Sequence, residues 1–190
     1  MNELEIIRAQ LAVEQSHAAE VAHACAAAFG SPAVGAPEEA MALFREACVS
    51  YLVWVLARFE ERDQSLSELL AARLSSTNGA ATAGARHLSS LIGRFGTSRE
   101  ALARLEAALD AGSSEAARAA WQEFARFFNS SWAPRRAALE GALAEHSSVA
   151  DWRAVCAIDA DSILDERRRF ARVAALLPAG IELRPTAAPA

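Results

Sequence analysis

Residues Pro37–Ser75 read PEEAMALFREACVSYLVWVLARFEERDQSLSELLAARLS, and the fold turns on this stretch. Phe44, Cys48, Leu52, Val55, Phe59, Leu66 and Leu70 recur at the spacing of one face of an α-helix. Pro37 stands near the first turn, where its missing amide is tolerated, and Ser75-Ser76-Thr77-Asn78-Gly79 is a run of turn-forming residues that ends the pattern. At a rise of about 1.5 Å per residue, a straight helix of this length exceeds roughly 50 Å. That length leaves room for a kink or break, and its apolar stripe needs other helices to cover it.

The rest of the chain supplies them. Upstream, Asn2–Phe29 carries Ile7, Leu11, Ala18, Val21, Cys25 and Ala28 at alternating steps of three and four, and Gly30-Ser31-Pro32 stops it. Downstream, Ala80–Phe95 carries His87, Leu88, Leu91, Ile92 and Phe95. Gly96 then interrupts, and Thr97-Ser98-Arg99-Glu100 matches a capping box that restarts a helix through Asp110. Gly112-Ser113-Ser114-Glu115 caps a fourth helix with Trp121, Phe124, Phe128, Trp132, Leu139 and Leu143, and Pro134 predicts a kink or split near Ser131. A fifth helix starts near Ser148, paired with Asp151 as a cap, and carries Trp152, Val155, Ile163, Phe170, Val173 and Leu177 to Pro178-Ala179-Gly180. No segment alternates like a strand. Short connections make successive helices antiparallel neighbours. The expected fold is therefore all-α, an up-down four-helix bundle with an additional C-terminal helix. It forms a single domain over residues 1–178, with a flexible C-terminal tail over 179–190.

Composition agrees. The chain has 190 residues, 53% of them hydrophobic and 23% charged, enough apolar material for one core. About a quarter of the residues are alanine, the best helix former. All 19 basic residues are arginine, and the net charge of −5 argues against nucleic acid or an acidic membrane surface as partner. Cys25, Cys48 and Cys156 are far apart with no C-x-x-C pair, so they read as small buried thiols rather than a disulfide framework or zinc site. Met1-Asn2-Glu3-Leu4-Glu5 lacks the basic and apolar regions of a signal peptide, and the mostly apolar run Ala47–Ala57 is about half of a membrane span. The expected location is cytoplasmic.

Chemistry-bearing residues are sparse. Glu14-x-x-His17 and Glu20-x-x-His23 each place a carboxylate and an imidazole one turn apart, as inward di-iron sites in helical bundles require. Both pairs lie on one helix and point to different sides. Only Glu14 falls on the apolar stripe, with His17 at its border. There is no Gly-rich phosphate loop, no G-x-S-x-G elbow and no readable Cys–His arrangement, so no conventional catalysis is indicated.

The segment Leu56-Ala-Arg-Phe-Glu-Glu-Arg-Asp-Gln-Ser-Leu66 resembles the second-helix motif of hemerythrin-like (HHE cation-binding) proteins, and the order of elements over about residues 10–145 is similar to theirs. The resemblance implies a four-helix bundle around a two-iron site. It also implies a histidine and a glutamate four apart on the second helix, where this chain has Arg58 and Arg62. His17 matches the first-helix histidine and His87 one of the third helix, but Ala83 cannot serve as the other. Ser131 and Arg136 stand near the fourth helix's histidine and carboxylate positions. Guanidinium groups repel a divalent cation and offer it no lone pair. The expectation is a hemerythrin-like bundle whose metal site has been lost, with no cofactor.

Arg58 and Arg62 lie at or beside the apolar seam, and buried arginines must be paired, so inward carboxylates should face them. Glu14, Asp159 and Glu166 are the candidates. The seam is either structural or a site for a small anionic ligand, built from Arg58, Arg62, Glu14, His17 and His87. The alternative is a metal-binding, di-iron-type bundle whose iron is held by Glu14, His17, Asp63, His87 and Asp159. The run Glu166-Arg167-Arg168-Arg169 follows several acidic residues and reads as a salt-bridged solvated face. Trp121, Phe124, Phe127, Phe128 and Trp132 exceed what one stripe can bury, and a homodimer interface is a natural use of the surplus at Phe127 or Trp132. A dimeric helical adaptor is thus the third reading. The favoured function is a non-enzymatic bundle acting as a small-ligand-binding or protein-interaction module.

Overall fold

In a computed structural model the described residues are 3–30, 37–74, 95–129, 148–156 and 160–184. Their regular structure is helical: α1 (Glu3–Gly30), α2 (Glu38–Leu74), α3 (Phe95–Asp110), α4 (Ser114–Phe127), α5 (Val149–Cys156) and α6 (Ala160–Ala175). No strand occurs among the described residues. The chain is all-α.

The stretch that opened the sequence reading forms one helix of 37 residues, without the expected break. Its stripe faces inward: Phe44, Cys48, Leu52, Val55 and Phe59 are buried, and Met41, Tyr51 and Leu56 join them. Leu66 and Leu70 lie outside the residues whose side chains are described. Part of α2, Glu38–Ser65, is long and apolar enough by length and composition to cross a membrane, and 50% of its most apolar window is buried against the other helices. It packs against α1, α3, α5 and α6.

α1 presents the predicted stripe, with Ile7, Leu11, Ala18, Val21, Cys25 and Ala28 all buried. Its alanines let α2 approach closely. Three contacts fix the direction of the pair. Arg45 Nε donates to the Ala28 carbonyl at 3.0 Å, the Cys25 and Cys48 thiols are hydrogen-bonded neighbours, and Glu14 meets Arg58 and Arg62. Each step back along α1 is matched by a step forward along α2, so the two helices are antiparallel.

α3 and α4 form a second hairpin. Gly112 takes φ of 66° between them, a left-handed conformation that glycine adopts without a Cβ clash. Ser113 then caps α4, its Oγ accepting from the Ala116 amide at 3.4 Å, as the sequence predicts. Arg104 and Glu123 join the arms at 2.7 Å. The restart predicted at Thr97 begins earlier, since α3 includes Phe95 and Gly96. The tighter helical backbone absorbs the glycine at a cost of about 1 kcal/mol.

Trp121 and Phe124 are buried, and Phe127 and Phe128 are half-buried. Phe124 touches both Trp121 and Phe128, and Phe29 of α1 stacks on Trp121 with centroids 5.5 Å apart. The Ser148–Asp151 cap forms as predicted: the Ser148 amide and hydroxyl both donate to Asp151 Oδ2 at 2.7 Å. The predicted fifth helix appears as α5 and α6, and Trp152 and Val173 are buried. Beyond α6, Ile181 is buried and Leu183 packs against the core, so this part of the expected tail is an anchored strap. The third predicted helix up to residue 94, together with His87, Ser131, Trp132, Pro134, Arg136, His146 and Asp159, lies outside the described residues.

Candidate functional site

A polar seam runs through the apolar core where α1, α2 and α6 meet. It begins with the geometry of two stripes. On α1, Glu14 takes the stripe position between Leu11 and Ala18. On α2, Tyr51, Arg58 and Arg62 share one side, being about two turns and then one turn apart. The antiparallel register sets Glu14 against the arginines and His17 nearer Tyr51.

Glu14 is fully buried, and Arg62 is 6% exposed. Arg62 Nη1 donates to Glu14 Oε2 at 2.7 Å, a short charge-assisted bond. Arg58 Nη2 stands 3.7 Å from Glu14 Oε1, an ion-pair distance rather than a hydrogen bond. The Arg58 guanidinium lies 4.8 Å from the centroid of Trp54, which Arg169 of α6 also approaches at 5.0 Å. Arg62 lies 5.8 Å from the Phe59 centroid. Of the expected carboxylates, Glu14 meets the arginines, and Asp159 lies outside the described residues.

Glu166 has a different role from the one expected. It is fully buried on α6, and its Oε1 accepts from the Tyr51 hydroxyl and from His17 Nδ1, both at 2.8 Å. A carboxylate oxygen only accepts, so this bond places the imidazole proton on Nδ1. His17 also stacks on Phe170, with centroids 3.8 Å apart and planes 9° from parallel. Burial, then the negative charge of Glu166, push the Tyr51 phenol well above its ordinary range, so it remains a neutral donor.

The seam is incompletely satisfied. Among the described residues, Glu14 Oε1, Arg62 Nη2 and Glu166 Oε2 are buried without a hydrogen-bond partner. Each such group carries a desolvation penalty of about 1–3 kcal/mol, more when charged. Another buried carboxylate, Glu60, pairs with Arg99 and ties α2 to α3.

Sequence reasoning placed Glu14, His17, Arg58 and Arg62 here, and the structure brings all of them to one seam. It missed Tyr51, whose signal was present: the chain's single tyrosine stands seven residues before Arg58, on the same side of α2. It also missed Glu60, which the stripe pattern places beside Phe59 with no hint of its partner. Asp63 is half-buried, one residue past Arg62. The second Glu-x-x-His pair stays out of the seam, with His23 exposed and Glu20 Oε1 accepting from Ser16 at 3.0 Å.

Of the alternative two-iron ligand set, Glu14, His17 and Asp63 are described here, and His87 and Asp159 lie outside the described residues. The Glu14 oxygen Oε2 is taken by Arg62, and His17 Nδ1 carries the proton it gives Glu166. Among the described residues no group of three or more His, Cys, Asp and Glu side chains converges to hold a metal ion. No family model, no curated protein and no solved structure matches this chain.

Proposed function

We propose that this chain is a non-catalytic module of hemerythrin-like, four-helix-bundle architecture, in which an arginine–carboxylate seam replaces a metal centre and whose role is to bind a small ligand. The observation that carries the reading is the Arg62–Glu14 bond at 2.7 Å, with both side chains buried. The hemerythrin-like resemblance sets Arg58 and Arg62 at the second helix's histidine and glutamate positions. A guanidinium there supplies a cation from within the chain, so Glu14 is neutralised with no metal ion. The remaining donors, His17 and Tyr51, are spent on Glu166. Among the described residues of the seam, Glu14 is bonded to Arg62, and His17 and Tyr51 are bonded to Glu166, which favours binding over chemistry.

Elemental analysis of protein purified without chelators tests this. Metal-free protein that folds cooperatively is the expected result. Stoichiometric iron, zinc or manganese would overturn it and restore the di-iron-type reading with Glu14, His17 and Asp63 among the ligands.

A further inference from the structure

The polar seam is filled by its own side chains, so a ligand needs space elsewhere. That space lies at the other end of the α1–α2 pair. A concavity of about 440 Å³ opens between the end of α1, the start of α2 and the α3–α4 turn. This volume falls within the range of about 300–1,000 Å³ usual for small-molecule sites. Phe29, Leu109 and Ala117 form apolar walls, and Arg45 and Arg118 are the cations at its edge. Phe29 is held in place by stacking on Trp121.

Arg45 is pre-set. Its Nε donates to the Ala28 carbonyl at 3.0 Å, and its guanidinium lies 5.4 Å from the Phe29 centroid. The rest of its fork reaches Glu38, whose carboxylate accepts from Nη1 at 2.8 Å while its side chain is 75% exposed. The Arg45 side chain is 15% exposed, but with Glu38 so open to water the pair is screened and weak, so another carboxylate can displace Glu38. Arg118 is exposed on α4, and Ser113 and Ser114 bring the first turn of that helix to the same wall. A helix start favours negative charge, which adds to the two guanidiniums. With Arg45, Arg118 and Glu38 present, the net charge of the lining is +1, matched by a monoanion rather than a dianion.

We propose that this concavity binds a small organic acid, a single carboxylate on an apolar body, with Arg45 and Arg118 taking the carboxylate and Phe29, Leu109 and Ala117 enclosing the body. The proposal rests on the small-ligand reading above and gives it a site and a ligand class. No residue of the polar seam lines the concavity.

The test is titration of the full chain with 4-phenylbutyrate and octanoate, followed by calorimetry and by the fluorescence of the tryptophans, one of which backs Phe29. The matching alcohols, 4-phenylbutanol and octanol, serve as neutral probes. Saturable binding of an acid at millimolar concentration or below, at least tenfold tighter than its alcohol, is expected. Arg118→Met and Ala42→Trp, both at exposed positions of the lining, should each weaken it at least tenfold with unchanged circular dichroism. Arg104→Met, on the same hairpin but outside the concavity, should leave it unchanged. Failure of both acids to bind, equal binding of acid and alcohol, or binding indifferent to both lining variants each overturns the proposal. Metal-free protein that fails this titration loses the acid site while the metal-independent reading stands. Metal-loaded protein removes the parent reading whatever the titration gives.

Discussion

Arg62→Met isolates the energetics of the buried seam. The side chains are similar in length, so the substitution removes the charge and the donor with little change in packed volume. It leaves the Glu14 carboxylate fully buried, with Arg58 at 3.7 Å as its remaining cation. Breaking a buried ion pair by removing one partner costs about 3–5 kcal/mol, most of it the penalty of the stranded charge. For a chain of this size each kcal/mol moves the melting temperature by about 2–4 °C, so a fall of about 6–20 °C is expected. Glu14→Leu strands the Arg62 guanidinium instead, and the loss should be comparable. The double variant Glu14→Leu/Arg62→Met strands neither. Arg58 then keeps its stacking on Trp54, and the side chain is 21% exposed, close enough to water to stay solvated. The double variant should therefore lie within about 1 kcal/mol of the parent or above it, giving a coupling of about 5 kcal/mol or more in magnitude. Urea and thermal unfolding followed by circular dichroism read all four corners of the cycle. A loss below about 1 kcal/mol for Arg62→Met would mean that the pair behaves as an exposed one. A double variant as unstable as the two singles combined would mean that the residues act independently. Either result refutes the account.

Two further measurements bear on the rest of the core. Tyr51 is the chain's single tyrosine, so phenolate absorbance reports it alone. Its pKa is raised in the fold and ordinary, about 10, in the unfolded chain, so its stabilising contribution is complete below about pH 10 and is lost as pH rises above that. Phenolate should therefore appear together with unfolding in alkali, and phenolate titrating near pH 10 in a chain with native circular dichroism would contradict its burial against Glu166. Phe124 is fully buried between Trp121 and Phe128, and Phe124→Ala should cost about 3–5 kcal/mol in urea unfolding. A cost below about 1 kcal/mol would show that the α4 ring cluster is not core.

Much of the architecture was legible because helical periodicity is a local property. The α1 stripe, the α2 stripe from Phe44 to Phe59, the Ser113 cap and the Ser148–Asp151 cap each depend on residues within a few turns of one another, and each forms as the pattern indicates. The break expected in α2 did not occur. Length alone was the reason to expect it, and packing of α2 against α1, α3, α5 and α6 supports the helix from several sides. The burial of Ile181 was missed because the final segment has no periodicity and its anchoring comes from helices far away in sequence.

The sequence by itself determined that the chain is helical, which faces are apolar, and that charged residues at Glu14, Arg58 and Arg62 lie on or beside them. It also required that buried guanidiniums find carboxylates, since an unpaired buried charge is too costly to keep. Which carboxylate answers which cation was decided only by tertiary structure. Glu14, Asp159 and Glu166 were all candidates on their own helices, and Asp159 lies outside the described residues. The antiparallel register of α1 and α2 delivers Glu14 to Arg62, while the placement of α6 delivers Glu166 to Tyr51 and His17. The concavity beside Arg45 has the same origin, because its walls come from four helices that no local pattern connects.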